Sequence, residues 1–168
     1  MTRWYVVHTK PRAEAKAVWH LQNQGFQYFM PRIRALRKHA RKVTTVLAPL
    51  FPHYLFVRLE LNAVRWRAIN GTRGVVRLLT DGSLPSPVPT GVVETLLTKC
   101  DRQGAVPLTA MGLFAKGLKV RIRSGSFAGQ TAEINELFAE ESDRVRVLLT
   151  LLGAEAELQL PSYAIEAA

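Results

Sequence analysis

The chain has 168 residues, 48% of them hydrophobic, with 23 Lys+Arg against 13 Asp+Glu and a single cysteine, a length that suits one medium domain or two small ones. No window approaches the roughly 18 consecutive apolar residues of a membrane-spanning helix, and the lone Cys100 excludes an internal disulfide or a cysteine-based metal cluster. Cutting the chain at Cys100 leaves 16 Lys/Arg and 4 Asp/Glu in residues 1–100, for +12, and 7 and 9 in residues 101–168, for −2. Such a split predicts a basic first domain that meets a polyanion and a near-neutral second domain with another task.

Residues 4–9, Trp-Tyr-Val-Val-His-Thr, are aromatic and β-branched and predict an opening strand. This start lacks the charged segment, apolar core and small-residue cleavage site of a secretory signal, so a cytoplasmic protein without a membrane partner is expected. Pro11 suits a first helical turn, after which Ala13, Ala17 and Leu21 recur at a spacing of four, with Val18 beside them, until Gly25 stops the helix. Arg12, Lys16, His20 and Asn23, with Gln24 at the edge, then project together from the other side, because helical neighbours fall three and four residues apart.

A second strand is expected over 26–33. Arg32, Arg34, Arg37, Lys38, Arg41 and Lys42, with His39 among them, crowd into the next stretch before the strand-like 44–47. A cationic tip between two strands predicts a protruding hairpin able to touch phosphates. Residues 47–52 are too prolyl for a central strand and too apolar for a free loop, so something must cover them. In 54–60, Leu55, Val57 and Leu59 share one face, while Tyr54 and Phe56 share the other with Arg58 and Glu60.

A short helix over 63–69 and a turn-rich loop over 70–74 precede a strand over 75–80 and a loop over 81–89. A helix then starts at Thr90, whose hydroxyl caps it, with Val92, Val93, Leu96 and Leu97 at helical spacing. The order is that of an α+β domain over 1–100. Residues 101–112 show no period and form a linker. In 113–168, strand-like runs at 118–122, 130–135, 144–150 and 155–160, with a glycine turn at 125–129, predict a small barrel of five short strands. Residues 136–141 and 145–157 are also rich in Leu, Ala and Glu, so a helical fold of the same segment stands as an alternative.

Chemistry of the catalytic kind is not expected. Glu14, Glu60, Asp81 and Glu94 lie far apart in the first hundred residues, and His8, His20, His39 and His53 have no metal-ligand spacing. With no glycine-rich phosphate loop, nucleophile elbow or paired carboxylate, neither an enzyme nor a cofactor or metal is predicted.

Residues 4–7 followed by a basic helix, residues 49–57 (Pro-Leu-Phe-Pro-His-Tyr-Leu-Phe-Val) and residues 69–75 (Ile-Asn-Gly-Thr-Arg-Gly-Val) resemble the N-terminal domain of NusG-type transcription elongation and antitermination factors, an antiparallel sheet flanked by helices. Residues 116–120 (Lys-Gly-Leu-Lys-Val) with 125–129 (Gly-Ser-Phe-Ala-Gly) resemble the KOW motif of their C-terminal domain, a small five-stranded SH3-like β-barrel; Lys119, Gly125, Phe127 and Gly129 are its motif positions here. Residues 50–57 and 70–75 are similar to the specialised RfaH-like branch in particular.

The resemblance implies a monomer that binds elongating bacterial RNA polymerase at its clamp helices and gate loop, contacts non-template single-stranded DNA, and suppresses pausing and termination in selected operons. By position, Lys10, His20, Gln24, Asn70, Arg73 and Gly74 are DNA candidates, and the basic helix face adds Arg12 and Lys16. Asn23 and Ala68 stand where the RfaH-like branch has residues able to contribute more, which implies a different DNA element. Phe51, Tyr54, Phe56, Val93 and Leu96 fall where the family docks on the clamp helices. At the gate loop the branch's His-Thr-Thr-Thr is replaced by Arg65, Trp66, Arg67 and Ala68, and the Trp between two Arg is itself an expected polymerase-binding surface.

In that branch the second domain also folds as an α-helical hairpin that covers the clamp-binding patch. Here such a closed form would lay Leu137, Phe138, Leu148, Leu149, Leu151 and Leu152 over Tyr54, Phe56 and Leu96, but the ion pair that helps hold it would fall on Ala48 and Phe138, which cannot form one. A ribosomal protein or the termination factor Rho is the implied partner of the KOW domain. Two alternatives remain: a housekeeping NusG-like factor acting genome-wide with Rho, and a KOW-containing ribosomal or RNA-binding protein. The latter would carry a basic barrel, where this region is −2.

Overall fold

Strictly alternating apolar residues build the centre of the first unit, and a computed structural model of the chain gives its elements. The structure describes residues 1–112, 114–138, 143–151 and 153–168, without the side chains of Ala110 and Met111. In order the elements are β1 (Arg3–Thr9), α1 (Glu14–Asn23), β2 (Gln27–Phe29), β3 (Arg32–His39), β4 (Lys42–Pro49), β5 (Tyr54–Leu59), a 3₁₀ turn at Trp66–Gly71, β6 (Val75–Leu78), β7 (Thr80–Asp81), β8 (Leu84–Pro85) and α2 (Val92–Lys99). A second 3₁₀ turn (Leu108–Met111) leads to β9 (Lys119–Ile122), β10 (Thr131–Phe138), β11 (Arg144–Leu151), β12 (Ala154–Pro161), a third turn (Ser162–Ala164) and β13 (Ile165–Ala167). The chain divides into two compact units, Met1–Arg32 with Pro49–Cys100, and Ile33–Ala48 with Asp101–Ala168.

In the first unit an antiparallel sheet runs in the order β2-β5-β1-β6, with Tyr5 opposite Val57 and Val7 opposite Leu55. Side chains on a strand alternate between faces, so the sheet has two separate cores. Tyr5, Val7, Leu55, Val57 and Leu59 meet Ala17 and Leu21 of α1 and Trp66 and Ile69 of the 3₁₀ turn on one face. Trp4 and Phe56 meet Val93 of α2 on the other, with Val6, Phe29 and Leu96 against them. This is the α+β architecture that the sequence predicts.

Several local expectations give way. The single strand over 26–33 is broken between β2 and β3 at Met30-Pro31, since proline has no N–H to lend a ladder. Over 63–69 there is a 3₁₀ turn instead of an α-helix, because too few residues precede Asn70-Gly71 to repay helix nucleation. Thr90 does not cap α2; Gly91 stands at the N-cap with φ +96°, and its N–H donates to the Glu94 carboxylate at 2.9 Å. Helix α1 begins at Glu14, after a turn at Pro11-Arg12 in which Arg12 has φ +57°.

The second unit contains a five-stranded antiparallel sheet in the order β12-β11-β10-β9-β13. Val120, Ile122, Ala132, Ile134, Val145, Val147, Leu149 and Ile165 form its single core. In this structure the segment takes the small barrel form and not the helical closed form. Gly125 and Gly129 take φ of +84° and +86°, values that end a helix, and Phe138 lies under the Arg146 guanidinium at 5.2 Å within the barrel. Of the residues proposed for a helical pair, 139–141 and Leu152 lie outside the described residues.

Buried Asp143 joins the segment before the barrel to the barrel itself. Thr109 donates its N–H (3.1 Å) and its hydroxyl (2.9 Å) to the Asp143 carboxylate, and the Ser162 N–H donates to the Asp143 carbonyl at 2.8 Å. Asp143→Ala strands both Thr109 donors and is expected to destabilise the second unit by about 1–3 kcal/mol, with Asp143→Asn milder. Faster amide exchange at Val145 and Val147 would record it; unchanged exchange would contradict it.

The basic hairpin of β3 and β4 belongs to this second unit. It turns at Ala40-Arg41, both left-handed at φ +47° and +67°, the geometry of a two-residue hairpin loop. Arg34 forms an ion pair with Asp101 and donates to the Gln103 amide oxygen at 3.1 Å. Burial alone would raise the Asp101 pKa, but the Arg34 hydrogen bond and the N–H groups of Ala105 and Gln103 hold it below the usual aspartate value. A depressed pKa means that this tie is complete at neutral pH and is lost only as pH falls through the lower folded value. An NMR titration of the Asp101 carboxyl should give a midpoint lower than that of an aspartate in an unfolded peptide, and a midpoint raised above it would contradict the pairing.

Candidate nucleic-acid interface

Ala17 and Leu21 bury one stripe of α1, which turns Lys16, Trp19 and Asn23 to solvent and leaves His20 half-buried at the margin. The loop 70–74 is fixed against that margin by three contacts. The Lys10 N–H donates to the Gly74 carbonyl at 2.8 Å. Gly74, at φ +87°, lies so close to α1 that an added Cβ would stand 2.9 Å from the Ala17 nitrogen and 3.0 Å from the Ala13 carbonyl. Gln24 Nε2 donates to the Thr72 hydroxyl at 2.9 Å, and that hydroxyl donates to the Ala68 carbonyl at 3.0 Å. Two segments fifty residues apart thus form one surface.

Besides His20, the other seven DNA candidates divide by what they do here. Lys10, Arg12, Lys16 and Arg73 are exposed, and none has a carboxylate partner among the described residues. Gln24 holds the loop, and Asn70 Oδ1 accepts the Leu78 N–H at 2.8 Å, fixing the loop to β6. Gly74 is buried and packs closely against α1. The four acids leave this surface single-signed. Glu14 is half-buried and accepts the His53 N–H at 3.0 Å, Glu60 accepts the N-terminal ammonium at 2.7 Å, and Glu94 caps α2. That ammonium holds the Glu60 carboxyl below its usual pKa. Asp81 lies on the short β7–β8 hairpin.

Two of the aromatic residues expected to meet the polymerase, Phe51 and Phe56, join Trp4 and Phe29 in a ladder on the other face of the sheet. Ring centroids lie 6.4 Å apart for Trp4–Phe29, 6.3 Å for Phe29–Phe56 and 6.0 Å for Phe51–Phe56. Its outer end is open. Phe51 is 38% exposed, and Tyr54, stacked on His8 at 5.0 Å, is 39% exposed. Leu96 is half-buried on α2, where Val92 and Leu97 are exposed beside it.

Phe56 and Val93 are core residues beneath that patch, so they support it without presenting a surface. Trp66 is buried as well, because its indole completes the core under α1. The expected Arg-Trp-Arg surface is therefore two exposed arginines, with the Arg67 guanidinium over the Trp66 ring at 4.5 Å. Arg65 also lines an open cleft of about 380 Å³ with Gln24, Gly25, Phe26, Val64 and Ala68.

Trp19, Val92 and Leu97 are exposed apolar residues that the sequence reading does not single out as sites. An apolar residue on a helix is assigned inward by default. For Trp19 the contrary signal was present, since it sits two residues from Ala17 and Leu21 and faces away from both. In the second unit, Lys119 opens β9, Phe127 is half-buried against the barrel core, and Gly125 and Gly129 make the left-handed turn; the KOW positions build the barrel. Among the described residues no group of His, Cys, Asp or Glu could hold a metal ion, and no helix is long and apolar enough to cross a membrane.

These elements define an α+β protein with a basic sheet-and-helix unit followed by a small β-barrel. Residues 2–97 match the family model NusG, "Transcription termination factor nusG", and the chain belongs to the NusG family. It is 30% identical over 174 residues to the transcription termination/antitermination protein NusG of Thermus thermophilus, covering 94% of each chain. Identity to the protein of that name from Staphylococcus aureus is 28% over 178 residues, covering 98% of this chain and 94% of the other. Among solved structures, that of Thermotoga maritima NusG is 21% identical, covers 99% of this chain and 97% of its own, and has a TM-score of 0.38, from which nothing further follows.

Proposed function

We propose that this NusG-family chain is a transcription elongation and antitermination factor that binds elongating bacterial RNA polymerase and the non-template DNA strand beside it. In this reading Lys10, Arg12, Lys16 and Arg73 contact phosphates and bases, with His20 at the rim and Gln24, Asn70 and Gly74 holding the loop in place. Phe51, Tyr54 and Leu96 dock on the polymerase clamp, over Phe56 and Val93, and Arg65 and Arg67 face the gate loop. The protein acts as a monomer in the cytoplasm. Domains at 1–100, less the hairpin 33–48 that packs with residues 101–168, and at 113–168 divide these tasks, and the second domain recruits a ribosomal protein or Rho.

One observation carries the reading: α1 and the loop 70–74 are locked edge to edge at Gly74 and Gln24, so that the unpaired cations of two distant segments share one acid-free surface. Phosphate contacts of this kind release counterions, so affinity for single-stranded DNA should fall steeply with salt. Arg73→Ala should weaken binding by about 1–3 kcal/mol if the side chain makes a bidentate base contact. Fluorescence anisotropy of the full chain on a labelled single strand, at two salt concentrations, measures both. Salt-independent binding would overturn the reading.

Selective action in the RfaH-like manner is supported by residues 50–57 and 70–75. A housekeeping role with Rho is the second reading, and it is favoured by the barrel, since the segment that folds as a helical hairpin in the selective branch is a five-stranded sheet here. Co-purification separates them: Rho captured on the full chain supports the housekeeping role, and polymerase without Rho supports the selective one.

A further inference from the structure

Trp19 is 60% exposed on α1, whereas Trp4 and Trp66 are buried in the two cores of the same unit. Helix α1 packs through Ala17 and Leu21 and does not use the indole. Its ring partner is His20, at 4.8 Å between centroids and 89° between planes, so the two rings are perpendicular and do not stack.

We propose that Trp19 is a stacking platform for one unpaired base of single-stranded DNA, with the flanking phosphates held by Arg12 and Lys16. The proposal rests on the DNA-binding reading above and adds to it a residue and a base subsite. The surroundings select this occupant. Ala15, Lys16, Gln22 and Asn23 are the exposed neighbours along α1, so the indole is not part of an apolar patch of the kind that binds proteins. Nor does a carboxylate face it, since the helix's one acid, Glu14, is engaged by the His53 N–H. An isolated aromatic ring one helical turn from Lys16, with no carboxylate beside it, suits a nucleobase next to its phosphates, because every base has a π-face and stacking tolerates sequence.

The test uses the full chain and oligothymidylate of about twelve nucleotides, within the usual span of single-strand sites. Base stacking should quench the emission of Trp19 saturably. Trp19→Ala should lower affinity about tenfold, Trp19→Phe should retain most of it, and an abasic strand of the same length should bind wild type and Trp19→Ala equally. Unchanged affinity of Trp19→Ala for oligothymidylate that wild type binds would overturn the stacking role and leave the DNA reading intact. Tighter binding of oligouridylate than of oligothymidylate would overturn DNA as the ligand. Failure of wild type to bind any single strand at low salt would overturn the DNA reading itself, and the stacking role with it.

Discussion

Gly74→Ala is expected to lower the stability of the first unit by about 2–4 kcal/mol and to abolish tight binding of single-stranded DNA. The new methyl group meets backbone, the Ala17 nitrogen at 2.9 Å and the Ala13 carbonyl at 3.0 Å, and neither can swing aside as a side chain would. The φ of +87° adds strain for any residue with a Cβ. To relieve both, the loop 70–74 must lift from α1, which separates Arg73 from Lys16 and breaks the Gln24 hydrogen bond to Thr72. Gly71 is the matched control, with nothing within 4 Å of its added Cβ, so Gly71→Ala should be nearly neutral. Urea unfolding of the full chain, followed by the emission of buried Trp4 and Trp66, compares the two. A Gly74→Ala variant as stable as wild type would show that helix and loop are not in direct contact.

Phe51→Ala and Tyr54→Ala should each weaken binding to RNA polymerase by about 2 kcal/mol, a factor near 30, while leaving DNA affinity unchanged. Both rings are more than a third exposed, so truncation removes an anchor without opening a cavity. Phe56→Ala is the contrasting substitution. Phe56 packs with Trp4 and Val93, and deleting it should cost about 3–5 kcal/mol of stability, so that any loss of polymerase binding follows unfolding. If Tyr54→Ala and Phe51→Ala unfolded the unit while Phe56→Ala did not, the open end of the ladder would be misplaced.

The parts of this arrangement legible in the sequence are those set by local periodicity. Leu55, Val57 and Leu59 alternate with Tyr54 and Phe56, and the two faces of β5 followed from that alternation alone. Ala17 and Leu21 likewise identified the buried stripe of α1. The KOW glycines marked the left-handed turn, and Ile165–Ala167, at three residues, was too short to be read as the fifth strand.

What could not be read depends on contacts between distant residues. Arg34 and Asp101, which place the basic hairpin in the second unit, are 67 residues apart, and no local pattern couples them. The helix-forming Leu, Ala and Glu residues of the tail are overridden by cross-strand pairing of β10, β11 and β12. The flanking Arg65 and Arg67 make Trp66 look like a surface residue in sequence, whereas its indole completes the core beneath α1.

The division of labour within the first unit is tested most directly by the affinity of the full chain for reconstituted bacterial elongation complexes, with and without the single-stranded non-template segment. Removing the segment should weaken binding at least about tenfold and flatten the salt dependence, because the polymerase contacts at Phe51 and Tyr54 would remain while the phosphate and base contacts were lost. Equal affinity and equal salt dependence for the two complexes would contradict the account, and would mean that the cationic surface of α1 and the loop 70–74 does not meet the DNA strand.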